Sequence, residues 1–243
     1  MTSRLDQINR LYEVLDDLED RLGGKRCLSE CHGKMNWPKR GVYFFFEQNE
    51  RRTSGLGLRV VRVGTHALNR KSKTTLRSRL RAHRGSLSGK HAGGGNHRGS
   101  IFRLHVGTAL LQKEGLRGQY PTWGIGSSAP QSTMDHELPI EKKVSQHIRA
   151  MPLLWLNVND HPGPQSLRAY LERNSIILLS NYSRVGTVES IDLPSPNWLG
   201  LHCENPKVRQ SGLWNDDHVE EKQVDATYLD KLEKCVRSPL RNG

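Results

Sequence analysis

Leu5, Ile8, Leu11, Leu15, Leu18 and Leu22 recur every three or four positions, the spacing of one helical face. That pattern predicts a helix over 3–22. Gly23 and Gly24 stop it, because glycine takes the left-handed conformation that closes a helix. Glu13, Asp16, Asp17, Glu19 and Asp20 fall on the outer side, so the leucine stripe packs on its own domain or on a second copy, as in a homodimer. A loop to Pro38 follows. Two short β-type runs, "VYFFFE" and "LRVVRVG", then flank a polar, glycine-containing turn and predict a hairpin over 41–47 and 58–64. Further on, Leu76 and Leu80 mark the buried side of a helix over 74–84, with Thr74 as a candidate N-cap. Residues 101–116 read as helix ended by Gly115, 117–136 as loop, and "LPIEKKVSQHIRAM" as helix with Pro139 near its first turn. "PLLWLNV", 152–158, is an apolar run of strand length. "PGPQSLRAYLERNSI" returns to helix, with Leu167, Leu171 and 174–178 on the inner face, and "ILLSN" closes it. The chain is looser after Asn181, with a final helix near 225–236. This order predicts an α+β fold: a small three-stranded mixed or antiparallel sheet flanked by helices, with helical N- and C-terminal extensions.

At 243 residues the chain has ample material for a core. No apolar run approaches the roughly 20 residues of a membrane span. The first residues carry no apolar signal core, so the expectation is a cytoplasmic protein with no membrane partner. Cys27, Cys31 and His32 cluster in "CLSECH", yet no second tight ligand pair accompanies them, and the four cysteines read as reduced thiols. Charge changes the picture more. Of the net +12, fourteen Lys and Arg against Glu114 alone place +13 between Arg59 and Arg117, leaving −1 for the rest. One localised basic surface on a neutral body is the footprint of a polyanion binder, nucleic acid foremost. Within it "GSLSGKHAGGGNHRGS", 85–100, holds six glycines with basic residues and reads as a loop that orders on a phosphate backbone.

Candidate chemistry lies along this segment. Tyr43 sits in the first strand, where alternation groups it with Phe45 and sets Phe44 and Phe46 on the opposite face; which face is wet stays open. Arg62 stands two residues before Gly64. Arg79 and His83, four apart, share a helix face. Arg77, Arg81 and Arg84 occupy other faces and suit backbone grips, as do Lys90, His97 and Arg98. Glu172 lies mid-helix, and Asn181 ends the segment after it. Trp198, Trp214, Asn215 and His218 in the tail complete the core or contact bases.

"GVY" (41–43), "RVG" (62–64), "SRLRAH" and "LERNSIILLSN", in that order, resemble the signature of the GIY-YIG nucleases. "GVY" stands for GIY and "RVG" for YIG, over roughly 39–182 with a long insertion. The resemblance implies a nuclease core over 39–182 with a basic, glycine-rich insertion around 85–136, an N-terminal helical extension over 1–38 and a C-terminal extension over 183–243. It implies Tyr43 as general base or proton relay, Arg79 as stabiliser of the pentavalent transition state and His83 beside it. It also implies Glu172 as ligand to one Mg²⁺ or Mn²⁺, with Asn181 buttressing that site. The first tyrosine of YIG is replaced by Arg62, a place where some restriction-type members of the family also carry a basic residue. Glu141 is the rival to Glu172. The expected function is a metal-dependent endonuclease of DNA, double-stranded DNA foremost, free-standing and of restriction or defence type. A nucleic-acid-binding protein that has lost catalysis and an RNA-directed nuclease are the alternatives.

Overall fold

A computed structural model describes residues 3–238 except 54 and 56. In chain order its elements are α1 (Arg4–Leu22), β1 (Arg26–Cys27), β2 (Gly41–Arg51), β3 (Leu58–Gly64), α2 (Leu76–Arg84), α3 (Ile101–Lys113), α4 (Gln131–Arg149), β4 (Pro152–Asn157), α5 (Leu167–Leu179), α6 (Pro206–Ser211) and α7 (Tyr228–Arg237). The sheet has four strands in the order β1-β4-β2-β3, all antiparallel. The added strand is the two-residue β1, too short to carry an alternation; it exists only because Arg26 and Cys27 pair with Leu153 and Pro152.

Strand β2 is covered on both faces. Val42, Phe44 and Phe46 meet α1, α5 and α7 on one side. Tyr43 and Phe45 meet α2, α3, α4 and the tail residues Trp198 and Trp214 on the other. Each phenylalanine buried in this way contributes about 2–3 kcal/mol of transfer free energy. Helix α1 is closed at its start by reciprocal bonds between Ser3 and Asp6 and at its end by Gly23 at φ 73°. Its stripe packs on this chain's own α5, α7 and β4; Leu5 departs from it and is exposed.

Two elements depart from their expected bounds. Helix α4 starts at Gln131, so Pro139 lies inside it rather than in its first turn. Its buried stripe includes Glu137 and Glu141, whose charges are met by Arg98 and Arg103, so an apolar pattern does not reveal that turn. On α5, Leu171 is buried while Leu167 is exposed. The glycine-rich segment 85–100 is laced by backbone bonds, Ser86 N to Gly94 O at 2.8 Å and Gly93 N to Ser86 O at 3.0 Å, and ends in a single turn of 3-10 helix over His97–Gly99. The outer edge of β3 is capped by the tail. Trp214 N donates to Val61 O at 2.7 Å, and the Asn215 carboxamide bonds both backbone groups of Val63.

Candidate active site

The hairpin register places Tyr43 opposite Gly64. A Cβ on residue 64 would stand 2.3 Å from Tyr43 Cζ and Oη, so glycine is what lets the phenol ring lie across the end of β3. Gly41 on β2 is required by a different close approach: a Cβ there would stand 2.2 Å from Leu156 O of β4.

Strand β3 carries an irregularity: Phe45 pairs with Arg62, and Phe46 with Val60. The extra residue, Val61, breaks strict alternation and lets Arg59 and Arg62, three apart, both serve the α2–α3–α4 side. Arg59 pairs with buried Glu50 and lies over Trp198. Arg62 donates to Trp214 O, lies 4.7 Å over the Phe102 ring, and is 4% exposed. Burial lowers its pKa; Tyr43 opposes that shift, Arg79 adds to it, and Glu172 opposes it.

Helix α2 is capped by Thr75, which accepts from Ser78 N, one residue after the expected cap. Leu76 and Leu80 anchor it. Arg79 and His83 therefore face the sheet, while Arg77 and Arg81 are exposed. His83 Nε2 lies 2.8 Å from Tyr43 Oη, and its Nδ1 lies 2.8 Å from Ser100 Oγ. Arg103 holds the His83 carbonyl at 2.7 Å. Burial, and then Arg79, Arg62 and Arg103, push the His83 pKa well below its ordinary value, so the ring is neutral at neutral pH. The Nε of both Arg62 and Arg79 is buried without an acceptor. Among the described residues, neither arginine forms an ion pair with a carboxylate.

Glu172 reaches the cluster from α5. Its Oε1 accepts from Thr65 N at 2.9 Å, and its second oxygen accepts no hydrogen bond among the described residues. Burial raises its pKa; Arg62, the Thr65 N–H, His218 and Arg79 oppose the shift. The site thus has a buried floor of Tyr43, His83 and Arg62, with half-buried Arg79 and Glu172 above it. A carboxylate with one open oxygen suits Mg²⁺, which takes one or two protein carboxylates and completes its shell with water and phosphate oxygens. Glu141 does not suit it: Arg103 holds Oε2 and His97 holds Oε1.

The remaining sequence candidates lie elsewhere. Asn181 clasps Ile191, with its carboxamide donating at 2.7 Å and accepting at 3.2 Å, and also accepts from Arg4; it fastens the tail and touches no residue of the cluster. His97 stacks on Trp123 at 3.8 Å, and Arg98 makes a buried pair with Glu137, so both are used inside the insertion. Arg84 donates to Cys31 O, and Lys90 pairs with Asp135 on the surface. Arg77 and Arg81 line an open groove of about 920 Å³ between α2, the glycine-rich segment and the start of α4. Trp198 and Trp214 are buried and donate their indole N–H groups to Glu47 at 3.2 and 2.7 Å. Sequence reasoning missed Ser100, the partner of His83; its signal was a serine directly before an apolar helix, the N-cap that the structure shows. It also missed His66, which is buried and has a pKa pushed down to about 4 by burial, then by Arg168 and, less, by Arg79 and Arg40.

A family model described as "GIY-YIG domain" matches residues 2–241. Searches of curated proteins and of solved structures return no match.

Proposed function

The chain belongs to the GIY-YIG domain family, whose fold serves nucleases acting on nucleic acid, and on that premise we propose that it is a metal-dependent DNA endonuclease. The observation that carries the reading is the pair of guanidiniums, Arg62 and Arg79, gathered around the hydrogen-bonded Tyr43–His83 pair, neither of them in an ion pair with a carboxylate among the described residues. Buried or half-buried cations left open in this way suit a phosphodiester anion, whose charge-assisted hydrogen bonds would satisfy them.

In this reading the scissile phosphate lies over Arg79 and Arg62. Arg79 donates to the oxygens that gain charge as the phosphorus becomes five-coordinate, and Arg62 adds positive potential from the floor. Neutral His83, with Nδ1–H donating to Ser100 Oγ, accepts the Tyr43 hydroxyl at Nε2. The lone pairs of Tyr43 Oη then face the attacking water. As the water proton reaches Oη, the phenol proton passes to His83. A proton on His83 beside three arginines is costly, and the anionic phosphate offsets part of that cost. Glu172 would hold Mg²⁺ or Mn²⁺ through its open oxygen; the ion, when bound, neutralises charge on the phosphate and the leaving oxygen.

Supercoiled plasmid and a matched RNA duplex, each incubated with Mg²⁺ or Mn²⁺, test this reading. Wild type should nick the plasmid only with metal. Arg79→Ala and Glu172→Ala should each lose about 100-fold or more. Intact plasmid in every condition, or variants that cut like wild type, would overturn the reading; preferential cutting of RNA would move the substrate. Mapping the ends on defined DNA tests the restriction- or defence-type form of the proposal.

A further inference from the structure

Residues 214–221 form a strap fastened at both ends. Trp214 and Asn215 hold one end to the edge of β3. At the other, Ser180 Oγ donates to Val219 O at 2.7 Å, and Val219 is fully buried. Between the clamps lies His218, at φ 62°. A side chain other than glycine seldom adopts this region, and such strain persists where surrounding contacts over-determine a residue's direction.

Here that direction is set by Glu221. His218 Nδ1 lies 2.6 Å from Glu221 Oε1, while Arg173 donates to Glu221 Oε2 at 2.9 and 2.6 Å. With Glu221 as acceptor, Nδ1 carries a hydrogen, and in the neutral imidazole that tautomer leaves Nε2 its lone pair. Nε2 has no hydrogen-bond partner among the described residues. This is the arrangement of a metal-binding histidine, which almost always gives its other N–H to a carboxylate or carbonyl. Glu172 and His218 line the same open groove of about 960 Å³, together with Ser166, Tyr170 and Asn174. The two side chains are close enough to interact electrostatically.

Resting on the reading that Glu172 holds the divalent ion, we propose that His218 is a second protein ligand to that ion, its imidazole oriented by Glu221. Nothing in the hairpin or helix motifs supplies this ligand; the C-terminal strap does. A mixed oxygen and nitrogen donor set favours Mn²⁺ over Mg²⁺, because imidazole suits transition metals while Mg²⁺ prefers oxygen throughout.

The test uses the whole chain and Mn²⁺ as the probe. Free Mn²⁺ is followed by electron paramagnetic resonance, and histidine ring signals by NMR, in wild type, His218→Asn, Glu221→Gln and Glu172→Gln. Asparagine tolerates positive φ, so His218→Asn spares the backbone; Glu221→Gln leaves the strap's strained residue untouched, and thermal melts confirm that each variant folds. The expected results are early broadening of the His218 ring by Mn²⁺ and at least about a tenfold loss of Mn²⁺ affinity in His218→Asn. Glu221→Gln should weaken binding less. If His218→Asn binds Mn²⁺ like wild type while Glu172→Gln does not, the inference falls and the Glu172 reading stands. If Glu172→Gln also binds like wild type, both fall.

Discussion

Tyr43 Oη and His83 Nε2 meet at 2.8 Å with both side chains fully buried, joining the first strand of the hairpin to helix α2 across forty residues of sequence. Ser100 grips the far side of the same imidazole. The three side chains therefore form one chain of hydrogen bonds from α3 to the hairpin.

Groups that act as a unit give non-additive losses when removed. Tyr43→Phe and His83→Gln should each abolish most cleavage, and the double variant should be little worse than the weaker single. Steady-state kcat/KM on one oligonucleotide duplex measures this. Additive losses would mean that the two residues act separately. Tyr43→Phe should also cost about 1–3 kcal/mol of stability, because it strands a buried ring nitrogen.

Gly64→Ala places a methyl where the Tyr43 ring lies. Overpacking of this kind costs about 1–3 kcal/mol and displaces the phenol. Urea denaturation should show that loss, and cleavage should fall further than the stability loss accounts for. An alanine variant with unchanged stability and rate would contradict the packing described above.

His66 and His83 both have depressed pKa values, His66 to about 4, with burial the first cause in each. The folded state keeps them neutral, whereas the unfolded chain protonates near pH 6.5. Their contribution is complete above about pH 6.5 and is lost as pH falls from there towards the folded values. Between pH 6.5 and 5 stability should drop by up to about 1.4 kcal/mol per pH unit for each histidine. Denaturation followed across this window checks the slope, and His66→Gln should flatten it.

Exposed and internal arginines should separate under salt. Arg77→Ala and Arg81→Ala should weaken DNA binding and each reduce the slope of log affinity against log salt by about 1, with little effect on melting. Arg98→Ala should instead cost about 3–5 kcal/mol of stability, because it strands buried Glu137. Fluorescence anisotropy at several salt concentrations, beside thermal melts, distinguishes the two classes.

Much of this architecture was legible in the linear chain. The spacing of Leu76 and Leu80 locates α2, and with it the shared face of Arg79 and His83. The hairpin and its glycines, the strand at 152–157 and the helix carrying Glu172 follow from local patterns in the same way. Such signals lie within single elements, where backbone geometry fixes which side chains are neighbours. The order of the motifs then identifies the family, because four short signatures in sequence are far more specific than any one.

Tertiary structure decided the rest, because each remaining question depended on a partner distant in the chain. Alternation groups Tyr43 with Phe45, but helices cover both faces of β2, so only the three-dimensional packing shows Tyr43 on His83. Arg62 reaches the cluster through an irregular β3 pairing that strict alternation does not describe. Glu141 and Glu172 look alike in sequence; one is saturated by Arg103 and His97, and the other keeps an open oxygen. His97 and Arg98 read as basic surface until Trp123 and Glu137 are found against them. A charge counts towards a surface only when no opposite charge folds onto it, and that condition is set by contacts spanning tens of residues.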